Sequence, residues 1–214
     1  MRDDTVVLLD RSQRASYNSV YGSLQTKVFD KLELTGGLRV SNYEYEDDLL
    51  IGPRLNLSYA LIPQVKLKAA YGKHYQFVNQ IVNQNISEGS RKFWLLADDD
   101  LIDLSSATHY VAGISYEMDN WLFDVEAYQK DLTGITEFSL QFRRGVEETV
   151  EELFRTGDGF AKGIEFLIQK KQGRYTGWVS YTLSDIQNTF PDLNEGFPFR
   201  PLHYQQHEFK MVHT

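Results

Sequence analysis

Apolar and polar side chains alternate along most of the 214-residue chain. The alternation is clearest in these stretches, where Leu, Val, Ile, Phe or Tyr recur at every second position: 31–45, 54–61, 65–75, 108–118, 121–130 and 163–185. Because successive side chains of a β-strand point to opposite faces, this pattern predicts strands with one apolar and one polar face. No segment keeps a helical period over four turns, so we predict an all-β protein with roughly nine strands counted from the alternation. In the stretch 15–29 the pattern does not decide which face is apolar, because the tyrosines share one parity and Val20, Leu24 and Val28 share the other.

Short and long connections alternate between the predicted strands. Tight turns are expected near residues 30–31, 62–64, 118–120 and 171–174, whereas longer polar stretches cover 44–52, 77–106, 138–159 and 187–206. This layout is typical of an antiparallel up-and-down meander in a large transmembrane outer-membrane β-barrel, with short periplasmic turns and long extracellular loops. A compact soluble domain rarely holds several structureless loops longer than about 12–15 residues. Within 145–157, the spacing of Val146, Val150 and Leu153 predicts a short helix or an ordered loop.

Tyrosine and tryptophan side chains form two further groups on the apolar parity. Tyr116, Trp121 and Tyr175 lie beside predicted tight turns, and Tyr71, Tyr110 and Tyr181 lie toward the opposite strand ends. Rows of Tyr and Trp at both ends of an apolar band are expected where a barrel meets the membrane interfaces. We predict that these six residues lie at the membrane interfaces, although strands are rich in aromatic residues in general.

Composition and charge exclude several classes of protein. Hydrophobic residues make up 42% of the chain, mean hydropathy is −0.42, and no run approaches the roughly 20 apolar residues of a spanning helix. Thirty acidic and 22 basic residues give a net charge of −8 without a basic stripe, so we expect no nucleic-acid partner. The absence of cysteine excludes disulfides and thiolate chemistry.

Catalytic and metal-binding patterns are weak. There is no nucleophile elbow, and "GDGFAKG" (157–163) lacks the residue order of a phosphate-binding loop. The Asp98–Asp100 run with Asp103 lacks calcium-loop spacing, and the spacing of His203, His207 and His213 does not place them on one face. We therefore expect no enzyme activity, no cofactor and no metal site.

The order of several strands resembles that of a known family. The stretches "GDGFAKGIEFLIQKKQGRYTGWVSYTLSD" (157–185), "HYVAGISYEMDNWLFDVEAYQKDLTGITEF" (109–138) and "LELTGGLRVSNYEYEDDLLIGPRLNLSYAL" (32–61) resemble barrel strands of TonB-dependent outer-membrane receptors. A later "H-FK" strand follows in the family's order. The resemblance implies a barrel of about 22 strands. It also implies that residues 1–214 are an internal piece of that barrel, without the plug domain or the final strands.

The resemblance implies a role for the charged residues at the polar positions of the strands. Arg39, Arg54, Lys66 and Lys68 fall on early strands, and Asp124, Glu126 and Glu165 with Glu117 fall on later ones. We expect these charges to line the lumen and face complementary charges on the plug. Reversing Asp124 and Glu126 to lysine should then loosen the plug. In the stretch 77–96, Phe77, Arg91, Phe93 and Trp94 are candidates for contact with a ligand, or pack this loop onto its neighbours.

The function implied by the resemblance is energised uptake of a bulky nutrient across a Gram-negative outer membrane. The nutrient would be a ferric siderophore, a cobalamin or a glycan. The implied partners are outer-membrane lipid, the plug of the same parent chain and a TonB-type energising protein acting through that plug. Two alternatives stay open: a passive or structural outer-membrane barrel, and a soluble β-sandwich module that binds carbohydrate.

Overall fold

The computed structural model describes residues 12–85, 89–98, 102–138, 154–202 and 204–214, with the backbone alone for 81–85, 89–93 and 138. The strands are β1 (Tyr17–Val28), β2 (Leu32–Tyr43), β3 (Leu50–Ile62), β4 (Val65–Gln76), β5 (Val78–Asn85), β6 (Gly89–Leu96), β7 (Ser105–Met118), β8 (Trp121–Phe138), β9 (Phe154–Lys170), β10 (Gly177–Thr189) and β11 (His207–His213). Nine of them form one sheet in the order β1-β2-β3-β4-β7-β8-β9-β10-β11, and β5 and β6 form a separate hairpin. Every pair is antiparallel, which confirms the predicted meander.

Tight turns join the strands at one end of the sheet, called here the short-turn end. Phe29 and Asp30 between β1 and β2 both have positive φ, and Lys31 N–H donates to the Val28 carbonyl over 3.3 Å. Positive φ at both central residues matches the right-handed twist of the flanking strands. Longer connections leave the other end, called here the long-loop end. Among the described residues, no helix is long and apolar enough to cross a membrane.

The strand register aligns apolar residues into rows on one face. One such row runs through Leu57, Ala69, Ala112, Ala127, Ile164 and Leu183, each paired with the next across the sheet. The neighbouring row runs through Tyr59, Leu67, Ile114, Val125, Phe166, Tyr181 and Phe209. This surface is called here the apolar face. The pairing also assigns the faces of β1: Val20 and Leu24 lie with Val40 and Gly36 on the apolar face.

The apolar face carries no second layer of protein among the described residues. Ile114, Phe166 and Phe209 are 45%, 43% and 64% exposed, although such side chains are usually buried in soluble domains. The chain exposes 15392 Å², whereas a compact monomer of its mass exposes roughly 10,000 Å². An exposed apolar surface that spans a whole sheet marks an interaction surface.

A small hydrophobic cluster lies at the long-loop end. Tyr43, Leu50, Leu95, Ala97, Ile102 and Phe154 are buried there. The Tyr43 hydroxyl donates to the Ala97 carbonyl over 2.7 Å, and Phe77 packs against the Tyr43 ring with 4.8 Å between centroids. These contacts attach the β5–β6 hairpin and the segment after it to the ends of the early strands.

The structure differs from the predicted connections in several bounds. The stretch 77–106, expected to be a loop, contains the β5–β6 hairpin, and β3 begins at Leu50 inside the predicted 44–52 connection. Strand β9 begins at Phe154, so residues 154–157 of the predicted helix or ordered loop are strand; residues 145–153 lie outside the described part. Strand β10 also continues two residues past Gln187.

Candidate functional site

The second surface of the sheet, called here the polar face, is built from the alternate strand positions. Thr35, Asn56 and Ala70 form one row on β2, β3 and β4, and Glu126, Glu165 and Thr182 form another on β8, β9 and β10. The β5–β6 hairpin lies on this side at the long-loop end, because Asn79 and Gln80 line a cleft together with His74 and His109.

Lys68 joins two acidic residues across a neighbouring strand. Its Nζ donates to Asp124 Oδ2 over 2.8 Å and to Glu126 Oε1. Ser115 on β7 donates its hydroxyl to Asp124 Oδ2 over 2.6 Å. The side chains of Lys68, Asp124 and Glu126 are 31%, 14% and 36% exposed, so the group is only partly shielded from bulk water. The early basic and later acidic residues are thus partly paired with each other within the wall.

A glycine makes that pairing across β7 feasible. Gly113 pairs with Lys68 on one side and with Glu126 on the other. A Cβ at Gly113 would lie 2.8 Å from Glu126 Cγ and 2.8 Å from the Val125 carbonyl oxygen. The missing side chain leaves the space through which Lys68 reaches β8.

The other predicted lumen charges are distributed over the polar face. Glu117 accepts from Lys171 Nζ over 2.7 Å at the short-turn end. Lys66 is the next polar-face residue of β4 after Lys68 toward that end. Glu165 on β9 is the cross-strand neighbour of Glu126 on β8. Lys68, Asp124 and Glu126 are therefore joined by hydrogen bonds, Glu165 lies beside Glu126, and Lys66 forms no ion pair among the described residues. The plug-facing role of these residues stays a prediction.

Basic and imidazole side chains cluster on the polar face nearer the long-loop end. The cluster consists of Arg39, Arg54, His74, His109 and Lys130, from β2, β3, β4, β7 and β8, and we call it the basic belt. Arg54 Nη2 lies 3.4 Å from His74 Nδ1, and the rings of His74 and His109 are 5.0 Å apart. His109 and Lys130 are cross-strand partners. Within the described ranges, no carboxylate forms an ion pair with any member of the belt.

The sequence predictions included two members of the basic belt and missed the other three. Arg39 and Arg54 were expected on the polar face, whereas His74, His109 and Lys130 were not proposed. Their parity was the available signal: His74 lies six residues after Lys68, and Lys130 lies four after Glu126, so both share the polar face. Nothing in the sequence around the two histidines connects them with each other. They are brought together by the register of β4 and β7, in which His109 pairs with Gly72 and His74 pairs with Ala107.

Two adjoining clefts open beside the basic belt. The first is lined by Arg39, Arg54 and His74 with Tyr17, Ser41 and Gly52. The second, of about 380 Å³, is lined by His74, His109, Asn79, Ser105, Ile135 and Thr136. Because His74 lines both, the clefts are neighbours along one surface.

Three buried polar atoms in the described part of the chain lack a hydrogen-bond partner, and all three belong to residues lining these clefts. They are Arg39 Nε, Asn79 Nδ2 and Thr136 Oγ1. Asn79 is only 7% exposed, and its carbonyl oxygen accepts from Gln76 Nε2 over 2.9 Å while its amide nitrogen makes no bond. Buried polar groups are normally satisfied, so water or a bound group is expected to supply the missing partners of these three atoms.

A bulge in β8 positions the wall of the second cleft. The register shifts between Leu132 and Ile135, and Gly134 has a φ of 66°. Its carbonyl accepts from the Ser105 hydroxyl over 2.6 Å, and a Cβ there would lie 2.7 Å from the Leu104 carbonyl oxygen. Only glycine fits this left-handed, crowded position without strain.

The predicted interface aromatics lie at exposed positions around the apolar face. Tyr71, Tyr110, Tyr116, Trp121, Tyr175 and Tyr181 are 37%, 46%, 38%, 39%, 55% and 37% exposed. Tyr71 and Tyr110 pair across β4 and β7 with ring centroids 5.4 Å apart. Tyr116 and Trp121 both stack near Phe123, each at 6.2 Å, toward the short-turn end. Their contact with a membrane interface stays a prediction.

The candidate ligand-contacting residues of the 77–96 stretch separate in the structure. Phe77 lies between Tyr17 and Tyr43, at ring distances of 4.6 and 4.8 Å, as expected of a residue that packs the hairpin onto the wall. Trp94 is 64% exposed. The side chains of Arg91 and Phe93 lie outside the described part.

No group of three or more His, Asp or Glu side chains with metal-binding geometry occurs among the described residues. Of the residues weighed for calcium or another metal, Asp99, Asp100 and His203 lie outside them.

Comparisons with known proteins agree with this architecture. The family model described as "TonB dependent receptor-like, beta-barrel" matches residues 3–204. The siderophore receptor PirA from Pseudomonas aeruginosa is similar in structure, with a TM-score of 0.63 and 14% identity over 83% of this chain and 37% of that one. The siderophore receptor PirA from Acinetobacter baumannii gives a TM-score of 0.56 and 14% identity over 82% of this chain and 31% of that one. None of the curated proteins compared with the chain matches it significantly.

The present chain thus spans about a third of the length of those receptors. At this level of identity the likeness to the two structures establishes the fold alone, whereas the family model covers nearly all of the chain. That family consists of receptors rather than enzymes. The chain belongs to the TonB-dependent receptor-like β-barrel family.

Proposed function

We propose that the chain forms part of the barrel wall of a TonB-dependent transporter in a Gram-negative outer membrane. One observation carries the proposal: an apolar row runs over all nine paired strands, from Val28 through Tyr59 to Phe209, and it faces outward without a protein partner among the described residues. The opposite face of the same strands is charged and hydrogen-bonded. A wall with lipid on one side and a wet lumen on the other requires this division.

The strand lengths fit the proposed membrane position. Strands β2, β3 and β4 have 12, 13 and 12 residues, and a tilted membrane strand needs about 9–11. Strands β8 and β9, with 18 and 17 residues, are longer by about 6 residues, or roughly 20 Å. The excess lies at the long-loop end, where the bulge at Gly134 and the clefts are found. That end is assigned to the cell exterior, since barrels of this class carry their long loops outside.

The polar face is proposed to surround a plug domain of the parent receptor. Lys68, Asp124 and Glu126 carry one positive and two negative charges within hydrogen-bonding distance of each other, so the group retains a net negative charge. A basic side chain of the plug would complement it. In this proposal a TonB-type protein acts through the plug, and the wall guides the nutrient past it.

A bulky nutrient is the proposed cargo. The two solved structures compared above are siderophore receptors, which favours a ferric chelate over a cobalamin or a glycan as the first nutrient to test. The passive-barrel alternative predicts uptake that needs no energising protein. The soluble-module alternative predicts a product in the aqueous fraction.

Uptake measured with and without energy coupling tests the proposal. Cells expressing the receptor that contains this chain are supplied with labelled ferric chelates, cobalamin or a maltooligosaccharide, with the energising protein present or deleted. The proposal expects the product in the outer-membrane fraction and uptake of at least one nutrient that ceases without the energising protein. Uptake that persists after the deletion would instead identify a passive barrel, and a soluble product would refute the membrane assignment.

A further inference from the structure

We propose that the basic belt and its two clefts form a contact site for an anionic, oxygen-rich nutrient. The proposal specifies that the transported nutrient is anionic. It therefore rests on the proposed function and extends it. The five belt residues come from five neighbouring strands, which makes the site a property of the wall and not of a single loop.

The charge distribution of the wall favours an anion. Lys68 has two carboxylates beside it, those of Asp124 and Glu126. At the level of the belt, Arg39, Arg54 and Lys130 have no carboxylate partner among the described residues. Clustered cations in a low-dielectric concavity repel one another and raise the local concentration of anions. Guanidinium groups also match carboxylate, phosphate and catecholate oxygens in geometry.

The unpaired hydrogen-bonding atoms favour an oxygen-rich ligand. Asn79 Nδ2 and Arg39 Nε are buried donors, and Thr136 Oγ1 donates or accepts. Asn79 is more than nine-tenths buried, lines the second cleft and already uses its carbonyl oxygen, so its amide nitrogen is the group left to be satisfied. A ligand with several oxygen acceptors would satisfy these donors, whereas an apolar ligand would leave them unpaired.

Backbone geometry keeps the site open. Gly52 and Gly72 on β3 and β4 face Arg39 and Arg54, and neither carries a side chain that would fill the clefts. A Cβ at Gly72 would lie 2.9 Å from His74 Nε2, so the imidazole occupies the space that a larger residue would take. The site lies at the long-loop end, where a nutrient arriving from outside would meet the wall.

Binding of two chelates of different charge tests the assignment. The purified receptor that contains this chain is titrated with a trianionic gallium(III) tris-catecholate and a neutral gallium(III) tris-hydroxamate, with tryptophan fluorescence as the readout. We expect the anionic chelate to bind more tightly, and Arg54→Gln to weaken it about tenfold to a hundredfold, the effect of losing a charged hydrogen bond. The neutral chelate should bind with unchanged affinity in that variant.

Matched variants separate charge from structure. Lys27→Gln removes a cation from the short-turn end of β1, where Lys27 Nζ lies 3.8 Å from Asp30 Oδ1 and Lys27 lines neither cleft, so affinity should not change. Arg54→Lys keeps the charge and should retain more affinity than Arg54→Gln. The salt dependence of wild-type binding needs no variant, and a steep loss of affinity for the anionic chelate at high salt is expected.

The outcomes distinguish the inference from the proposed function. If the receptor imports a nutrient in an energy-dependent manner but prefers the neutral chelate, or if Arg54→Gln binds the anionic chelate as well as wild type, the inference is wrong and the proposed function stands. Loss of plug retention in Arg54→Gln with unchanged chelate binding would assign the belt to the plug and overturn the inference. Absence of energised uptake of every nutrient would overturn both.

Discussion

Placing one lysine on either face of strand β3 tests whether the apolar face contacts lipid. Leu57 lies on the apolar face between Leu34 and Ala69, and Asn56, its neighbour in the chain, lies on the polar face between Thr35 and Ala70. Leu57 also lies near the middle of the 13-residue strand β3, so it is near the centre of the apolar band. A lysine at the bilayer midplane costs about 2–4 kcal/mol, whereas a lysine in a wet lumen costs little.

We therefore expect Leu57→Lys to lower the free energy of unfolding by about 2–4 kcal/mol, or roughly 30-fold to 1000-fold in the folding equilibrium. Asn56→Lys should change it by less than about 0.5 kcal/mol, because the small neighbours Thr35 and Ala70 leave room for the longer side chain. The assay is urea unfolding of the receptor that contains this chain in phospholipid vesicles, followed by its shift in electrophoretic mobility. Equal losses in the two variants, or a larger loss for Asn56→Lys, would refute the assignment of the two faces.

Three further substitutions test particular contacts of the wall by the same unfolding assay. Gly113→Val places carbon 2.8 Å from the Val125 carbonyl oxygen and should cost about 1–3 kcal/mol, whereas Gly36→Ala meets no atom within 4 Å and should be neutral. Lys68→Met leaves two partly exposed carboxylates unpaired and should cost about 1–2 kcal/mol; no loss would show that solvent screens the pair fully. Gly134→Val imposes a branched side chain at a φ of 66° and should cost about 1–3 kcal/mol, with unchanged stability arguing against the bulge.

The faces of the sheet were predictable because parity alone decides them. The rows through Leu67, Ile114 and Phe166 follow from a period of two, and the structure confirms the meander into which they fall. The faces of β1 were undecided since both parities carry large side chains. Only the pairing of Val20 with Val40 resolves them, and it places Tyr21 beside Arg39, whose guanidinium lies 5.5 Å from the Tyr21 ring.

Other features depend on information that a single strand does not contain. The β5–β6 hairpin was missed because amides occupy most of its polar positions and give it the composition of a loop. The contact of Lys68 with Asp124 and Glu126 depends on register across three strands and on the missing side chain of Gly113. The approach of His74 to His109 depends in the same way on how β4 aligns with β7.

The up-and-down order of the sheet has a kinetic consequence. Each strand of the large sheet pairs with its nearest neighbour in the chain, except where the β5–β6 hairpin separates β4 from β7. Closing a short turn costs little entropy, so each new strand can zip onto the exposed edge left by the one before it. The step from β4 to β7 must close a longer loop, and preorganising that loop as its own hairpin shortens the search. Assembly of this wall should therefore pause longest at this step, and mutations that loosen the β5–β6 hairpin should lengthen that pause.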